Sequence, residues 1–201
     1  MEPSFDKLSD EKKERIINAC LEVFSKTDYK HASTDDMAAK AGISKGSLFY
    51  YAKNKKDLYI FLLQFGSQAM MESAIKNNVL EIRDLFELCK TVVITKIEVL
   101  SRYPYLYDFL MKVYYEPAPE AKEELTNYML NGEKPFVQEV RSSLDSSNFR
   151  PEITVEEAYN VVSWFSEGYM KRRFDANRMD LAEIQTEYTH YMDIFKSMFY
   201  K

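Results

Sequence analysis

A short segment of the chain carries a lysine and small polar residues at a spacing that suits contacts with nucleic acid. Ser44, Lys45, Gly46 and Ser47 follow one another shortly after Gly42. A lysine ammonium donates hydrogen bonds to the O6 and N7 atoms of guanine, and a serine hydroxyl bonds a base or a phosphate. The glycine between them lets a helix approach its target closely. These residue types indicate contact with base edges.

Residues on either side of this segment could contact the DNA backbone. Thr34 offers a hydroxyl and a backbone N–H to a phosphate, and Lys55 offers an ammonium. Tyr50 and Tyr51 could contact sugar, phosphate or a thymine methyl group. Alternatively, the lysines form a solvated face and the tyrosines are half-buried packing. Each residue alone allows that alternative, whereas the ensemble favours DNA.

The charge distribution agrees with a local DNA-binding patch. The net charge of the 201-residue chain is −5, yet residues 1–60 carry 11 Lys+Arg against 10 Asp+Glu. The remaining residues carry 16 against 22. Residues 37–56 contain no acid and five lysines: Lys40, Lys45, Lys53, Lys55 and Lys56. A basic patch on an acidic protein is typical of a DNA reader whose other half has a different task.

Two short predicted helices hold this patch. Ser33-x-x-Asp36 predicts a helix that begins at Ser33 or Thr34 and ends before Gly42. Ser44 caps a second helix that runs to about Ala52, with Leu48 on its inner face. Two short helices joined by a glycine turn form a helix-turn-helix, whose second helix lies in the major groove.

Helical periodicity continues along the rest of the chain, and it predicts an all-α fold of about nine helices. Residues 1–54 form the predicted three-helix DNA-binding domain, and residues 55–201 form a second, helical domain. The first predicted helix begins near Ser9 and carries the apolar stripe Ile16, Cys20, Val23 and Phe24. The other predicted helices cover about 33–41, 44–52, 55–78, 85–103, 105–116, 120–144 with a kink near Gly132 and Pro135, 154–174 and 181–199.

Several other classes of protein and site are not expected. The longest apolar run, Leu58 to Leu63, is too short to span a membrane, and the first residues lack the pattern of a secretory signal, so we expect a cytoplasmic protein. Cys20 and Cys89 fit two reduced thiols in the core, with a disulfide or redox switch as the alternative. No metal site or cofactor is predicted.

The first sixty residues resemble the TetR (tetracycline-repressor) family of transcriptional regulators. The resemblance covers about residues 10–60 and rests on these residues: Phe24, Tyr29, Thr34, Met37, Ala38, the run from Ala41 to Leu48, Tyr51, Lys53, Asn54, Lys55, Asp57 and Leu58. It implies a homodimer that binds a pseudo-palindromic operator and is released when a small molecule enters the C-terminal domain. It implies DNA contacts by Thr34, Lys45, Ser47, Phe49, Tyr50, Tyr51 and Lys55, beside Gly46, which the residue types alone already place at the interface.

The chain departs from the family pattern at two positions. Phe49 stands where the family usually has a tyrosine whose hydroxyl reaches a phosphate, so that bond is lost. Ala52 stands where a large apolar residue is usual and leaves less packing at the end of the second helix. Neither departure removes the basic patch.

The middle helices are rich in aromatic residues and methionine, which favours a mainly apolar or aromatic effector. An ordinary helical core would have the same composition. The candidate lining residues are Tyr107, Met111, Tyr115, Trp164 and Tyr169. The adjacent cations Lys171, Arg172 and Arg173 meet either an anionic ligand or solvent.

The resemblance assigns helices 154–174 and 181–199 to the dimer. Apolar residues at helical spacing could form its faces: Val161, Val162, Phe165, Tyr188, Met192, Phe195 and Phe199. Packing inside one subunit explains the same pattern.

A ligand-responsive DNA-binding repressor accounts for most of the observations. The alternative is a helical protein-interaction module without specific DNA binding, which Phe49 and Ala52 favour. An enzyme is not expected, because the only histidines are His31 and His190 and Glu187-x-x-His190 is one half of a di-iron motif whose second copy is absent.

Overall fold

The computed structural model describes Phe5 and residues 8–115, 118–131, 134–176 and 178–201. Ten α-helices occur in these ranges: α1 (Asp10–Lys26), α2 (Thr34–Ala41), α3 (Lys45–Tyr51), α4 (Lys55–Lys76), α5 (Leu85–Arg102), α6 (Leu106–Tyr115), α7 (Lys122–Asn131), α8 (Lys134–Ser142), α9 (Val155–Asp175) and α10 (Leu181–Phe199). Short 3₁₀ turns lie at Val79–Glu81 and Pro119–Ala121. The all-α prediction is confirmed, and within the described ranges no helix is long and apolar enough to cross a membrane.

Three helices begin where the sequence places their capping residues. The Ser33 hydroxyl accepts a hydrogen bond from the Asp36 N–H at the start of α2. Thr154 and Glu157 form a reciprocal capping box at α9. The Asp180 carboxylate accepts from the Glu183 N–H at α10. Each cap satisfies a backbone N–H that has no partner inside its own helix.

The segment predicted as one kinked helix over 120–144 is divided into the Pro119–Ala121 turn, α7 and α8. Gly132, one of the two residues expected at the kink, lies outside the described residues. Pro135 occupies the second position of α8. A proline is tolerated in the first turn because its missing N–H would have no helical acceptor there. The proline therefore lies at the start of a helix rather than at a kink inside one.

The chain divides into two compact units. The first comprises Met1–Ala69 with Arg102–Glu133, and the second comprises Met70–Ser101 with Lys134–Lys201. In the first unit, the side chains of Ile16, Leu21, Met37, Leu48 and Phe109 are fully buried. Three aromatic rings join α1, α4 and α6, since the centroid of Tyr59 lies 5.1 Å from that of Phe24 and 5.2 Å from that of Phe109.

The second unit has its own core. Its buried cluster contains Leu85, Phe86, Phe149, Ala158, Val162, Tyr188 and Met192. The last residues of the chain are held against the loop before α9, because the Arg150 N–H donates to the Phe199 carbonyl at 3.0 Å and the Lys201 N–H donates to the Asn148 carbonyl at 3.1 Å.

Both cysteines are free thiols. Burial raises the pKa of Cys20 to about 12, and burial likewise raises the pKa of Cys89 to about 12. A thiol of such high pKa stays protonated and is a poor nucleophile. The interpretation of two core thiols agrees with this.

Candidate nucleic-acid interface

The turn between α2 and α3 depends on one glycine. Gly42 has φ 63°, in the left-handed region, and its N–H donates to the Ala39 carbonyl at 3.1 Å. The next N–H, that of Ile43, donates to the Ala38 carbonyl at 3.0 Å. A residue with a side chain is strained in this conformation, whereas glycine is not. The turn thereby ends α2 sharply and redirects the chain into α3.

The helix α3 has a buried face and an exposed face. The Ser44 hydroxyl caps it by accepting a hydrogen bond from the Ser47 N–H at 3.1 Å. Leu48 is fully buried, as its predicted inner position requires, while Lys45 and Gly46 are exposed. Tyr50 is 66% exposed, and Ser47 is half-buried. The first turn of α3 is therefore open to a partner.

Lys45 is not free in this structure. Its Nζ lies 2.8 Å from Oδ2 of Asp35, and the two side chains are 50% and 68% exposed. An ion pair this exposed is weak, so its lysine can exchange one partner for another. Sequence reasoning missed Asp35, although an acid at the second position of α2 and a cation ten residues later were visible signals.

Lys55 and Thr34 lie beside the loop that joins α1 to α2. The Lys55 ammonium donates to the carbonyls of Lys30 and Ala32, at 3.1 Å each, and lies 4.8 Å from the ring centroid of Tyr29. An ammonium has three donors, so one N–H remains for a phosphate. Thr34 is the first residue of α2 and is half-buried.

The end of α3 packs inward. Tyr51 is 9% exposed, and its ring centroid lies 5.3 Å from that of Phe5. Phe49 is half-buried and Ala52 is fully buried. Of the three aromatic residues that the resemblance assigns to DNA contact, Tyr50 is therefore the one whose ring is open to a ligand. Tyr51 behaves as the packing alternative expected.

The helix α1 is tied to α2 by two polar contacts that the sequence did not indicate. Arg15 Nε donates to the Ala41 carbonyl at 3.0 Å, which satisfies an acceptor at the end of α2. Lys40 Nζ donates to Glu22 at 2.9 Å. Lys56 pairs with Glu124 of α7. Three of the five lysines of the basic patch, Lys40, Lys45 and Lys56, are thus paired with acids from outside residues 37–56.

The predicted effector residues lie on two helices. Tyr107, Met111 and Tyr115 recur every four residues on α6 and so share one face; the first two are half-buried and Tyr115 is 53% exposed. Trp164 and Tyr169 lie on α9, where Trp164 is 68% exposed. The Tyr169 hydroxyl donates to Glu187 at 2.9 Å.

Arg173 differs from its two neighbours in the cation run. Lys171 and Arg172 are exposed, whereas Arg173 is 6% exposed and pairs with Glu183 at 2.9 Å and with Glu187 at 2.5 Å. The Arg173 guanidinium lowers the pKa of both carboxyl groups. Arg173 is therefore withdrawn from solvent and already paired with two carboxylates. Glu187 serves this ion pair, and no metal-binding group of side chains occurs among the described residues.

Most residues predicted for the dimer face belong to the core of the second unit instead. Val162, Tyr188 and Met192 are buried there, and Phe165, Phe195 and Phe199 pack against them. One predicted residue, Val161, is exposed, and it lies on α9 with exposed Trp164, while α10 exposes Tyr191, Ile194 and Met198. A Cβ at Gly168, one turn beyond Trp164, would meet nothing within 4 Å. The exposed apolar face of α9 and α10 therefore lies beside the face that the sequence predicted for the dimer.

Three comparisons with known proteins bear on this arrangement. Residues 16–60 match the model of the family described as bacterial regulatory proteins, tetR family. A 50-residue segment is 34% identical to the fatty acid metabolism regulator protein of Bacillus subtilis. That segment spans 25% of this chain and 26% of the relative.

Solved structures share the fold along nearly the whole chain. A TetR family transcriptional regulator from Chloroflexus aurantiacus superimposes with a TM-score of 0.65 at 20% identity, covering 98% of this chain and 97% of that one. The transcriptional regulator FadR from Bacillus subtilis, in complex with stearoyl-CoA, gives 0.62 at 17% identity, covering 89% and 96%. Residues 16–60 are thus a segment of the tetR family of bacterial regulatory proteins, and the chain shares the fold of solved TetR family regulators.

Proposed function

We propose that this protein is a ligand-responsive transcriptional regulator of the cytoplasm that represses by binding a pseudo-palindromic operator as a homodimer. A small, mainly apolar effector releases it from the DNA. One observation carries the proposal: α3 turns Leu48 into the core and leaves Lys45, Gly46 and Tyr50 exposed on a helix that a capped glycine turn holds in place.

Each residue of this surface has a task that its chemistry allows. Lys45 and Ser47 contact base edges in the major groove, and Gly46 permits close approach. Thr34, Tyr50 and Lys55 contact the phosphate backbone, which sets the position of α3 on the duplex.

Two aromatic residues have lesser tasks. Phe49 has no hydroxyl and contributes an apolar contact to a sugar or a thymine methyl. Tyr51 supports the end of α3 from the inside. Residues 1–54 read DNA in this proposal, and residues 55–201 bind the effector and the second subunit.

The second subunit covers the exposed apolar face of α9 and α10. Val161, Trp164 and Gly168 recur at helical spacing on α9, so they form one stripe. Gly168 costs helix stability relative to alanine, roughly 0.5–1 kcal/mol, and a close approach by a partner helix gives it a reason to be there. Two recognition helices in one dimer match the two half-sites of a palindrome.

The effector is mainly apolar because the candidate lining residues are aromatic side chains and a methionine. The candidates are Tyr107, Met111 and Tyr115 on α6 and Trp164 and Tyr169 on α9, each to be tested by itself. The Bacillus subtilis FadR structure holds stearoyl-CoA, whose acyl chain belongs to the same chemical class. That relative supports a long-chain apolar effector for this protein.

Binding measured by fluorescence anisotropy on the DNA upstream of the protein's own gene tests the proposal. Lys45→Ala should weaken binding to the specific site by about 1–3 kcal/mol and relax the preference at one base position. The matched control is Lys122→Ala, since Lys122 is an exposed lysine of α7 outside the basic patch. Equal losses on specific and random DNA would remove Lys45 as a base reader. If the folded wild-type dimer bound no DNA at low salt, the alternative of a protein-interaction module would replace the proposal.

A further inference from the structure

The aromatic rings at the end of α3 belong to a chain of contacts that continues outside the helix-turn-helix. Tyr50 is 66% exposed, and its ring meets that of Tyr51 edge-to-face with the centroids 5.5 Å apart. The Tyr51 centroid lies 5.3 Å from that of Phe5, whose ring stacks on that of Phe61 at 4.3 Å. Phe5 precedes α1 in the chain and is fully buried. An exposed ring of α3 is thus connected to α4 through a residue that lies before α1.

The helix α3 depends on packing because it is short. Isolated helices of fewer than roughly 12–15 residues are marginal in water, and α3 has seven residues. Its buried residues are Leu48 near the middle and Tyr51 at the end. Leu48 therefore fixes the middle of the helix, whereas the position of its last turn depends on what packs against Tyr51.

Phe5 is packed between two helices that each carry a proposed DNA contact. It touches the ring of Tyr51 on α3, which carries Tyr50, and the ring of Phe61 on α4, which begins at Lys55. When a buried phenylalanine is replaced by a smaller residue, its neighbours relax partly into the space that is left. Loss of the Phe5 ring would therefore let Tyr51 move, and the last turn of α3 would move with it.

We propose that Phe5 is a positioning residue for DNA binding. It holds Tyr51, and through Tyr51 the last turn of α3, so that the Tyr50 hydroxyl meets the phosphate backbone. The inference rests on the proposed function, because Tyr50 has this task only if α3 binds DNA. The residues that the family resemblance assigns to DNA contact all lie between 34 and 55, so Phe5 adds a residue from outside the helix-turn-helix.

A double-mutant cycle on the DNA upstream of the protein's own gene tests whether Phe5 acts through Tyr50. The four proteins are the wild type, Phe5→Leu, Tyr50→Phe and the double variant, each as the full chain. Either single change should weaken operator binding roughly ten-fold, the factor that corresponds to one hydrogen bond with a charged phosphate. The double variant should lose no more than either single variant, because both changes remove the same contact.

The matched control is Phe109→Leu, which shortens another fully buried phenylalanine of the first unit. The Phe109 ring on α6 meets those of Phe24 and Tyr59, which belong to α1 and α4. This variant should leave operator binding unchanged. If it weakens binding as much as Phe5→Leu does, or if the losses of Phe5→Leu and Tyr50→Phe add in the double variant, the proposal is overturned.

Amide hydrogen exchange followed by NMR without DNA reports on the last turn of α3 independently of DNA binding. The Ala52 N–H closes this turn by donating to the Leu48 carbonyl at 3.0 Å. Phe5→Leu should accelerate exchange at Ala52 more than in α1, whereas Phe109→Leu should not single out Ala52. Absence of DNA binding by the wild type would overturn the proposed function and the task of Tyr50 together. Unchanged exchange at Ala52 in Phe5→Leu would overturn the role of Phe5 alone, even in a protein that binds its operator.

Discussion

Replacing Asp35 by asparagine should tighten the binding of this protein to its proposed operator. Lys45 Nζ lies 2.8 Å from the Asp35 carboxylate in the protein without DNA. The lysine must leave this carboxylate to reach a base, so the ion pair is lost on binding. Exposed pairs are worth about 0.2–1 kcal/mol. Since asparagine removes that cost, we expect an affinity about 1.4- to 5-fold higher.

A double-mutant cycle separates this exchange from a general charge effect. Removing an acid near the phosphates raises affinity for any sequence, whether or not Lys45 is present. The four proteins are the wild type, Asp35→Asn, Lys45→Ala and the double variant, titrated by anisotropy at one salt concentration on operator and random DNA. Glu123→Gln is the matched control, because it removes an exposed acid from the first turn of α7.

The cycle has an outcome that contradicts the reasoning. If Asp35→Asn weakens operator binding, Asp35 orients Lys45 in the complex instead of competing for it. If the gain is equally large in the Lys45→Ala background, Lys45 does not exchange Asp35 for DNA. Either result would contradict the proposed exchange, in which Lys45 leaves Asp35 to contact a base.

Three further predictions follow from other contacts. Lys55→Ala should weaken binding to every sequence and make the slope of log affinity against log salt shallower by about 0.9; an unchanged slope would exclude a phosphate contact. Trp164→Glu should convert the dimer to a folded monomer in analytical ultracentrifugation, because it puts a charge on the exposed apolar face; a persistent dimer would place the interface elsewhere. Arg173→Met should lower the free energy of unfolding in urea by about 1.5–3 kcal/mol. Arg173 lowers the pKa of Glu183 and Glu187, so these ion pairs stabilise the fold fully above the unfolded glutamate pKa of about 4.3 and lose that effect as the pH falls further. The variant should therefore lose less stability in acid than the wild type. Parallel curves of unfolding free energy against pH for the two proteins would contradict this.

Local features of the fold were readable in the sequence. Ser33, Thr154 and Asp180 each cap a helix through a backbone N–H three residues away, so the short pattern contains both partners. Gly42 likewise marks a left-handed residue that few others could replace. The boundaries of α2 and α3 were therefore predicted closely.

Features that depend on distant residues were not readable. Arg173 has the appearance of a surface cation, because the acids that bury it lie ten and fourteen residues later on α10. The packing of Tyr51 depends on Phe5, forty-six residues earlier. Apolar residues on α9 and α10 show helical periodicity whether they face their own core or a second subunit, so periodicity alone does not decide which stripe forms the dimer.

A footprint on the DNA upstream of the protein's own gene tests the central claim most directly. Hydroxyl-radical cleavage in the presence of the intact dimer should show protection of two half-sites related by a two-fold axis, roughly one helical turn or a multiple of it apart. Lys45→Ala should erase this pattern at concentrations where Lys122→Ala retains it. No protection by a folded dimer at low salt, or protection without two-fold symmetry, would contradict the account.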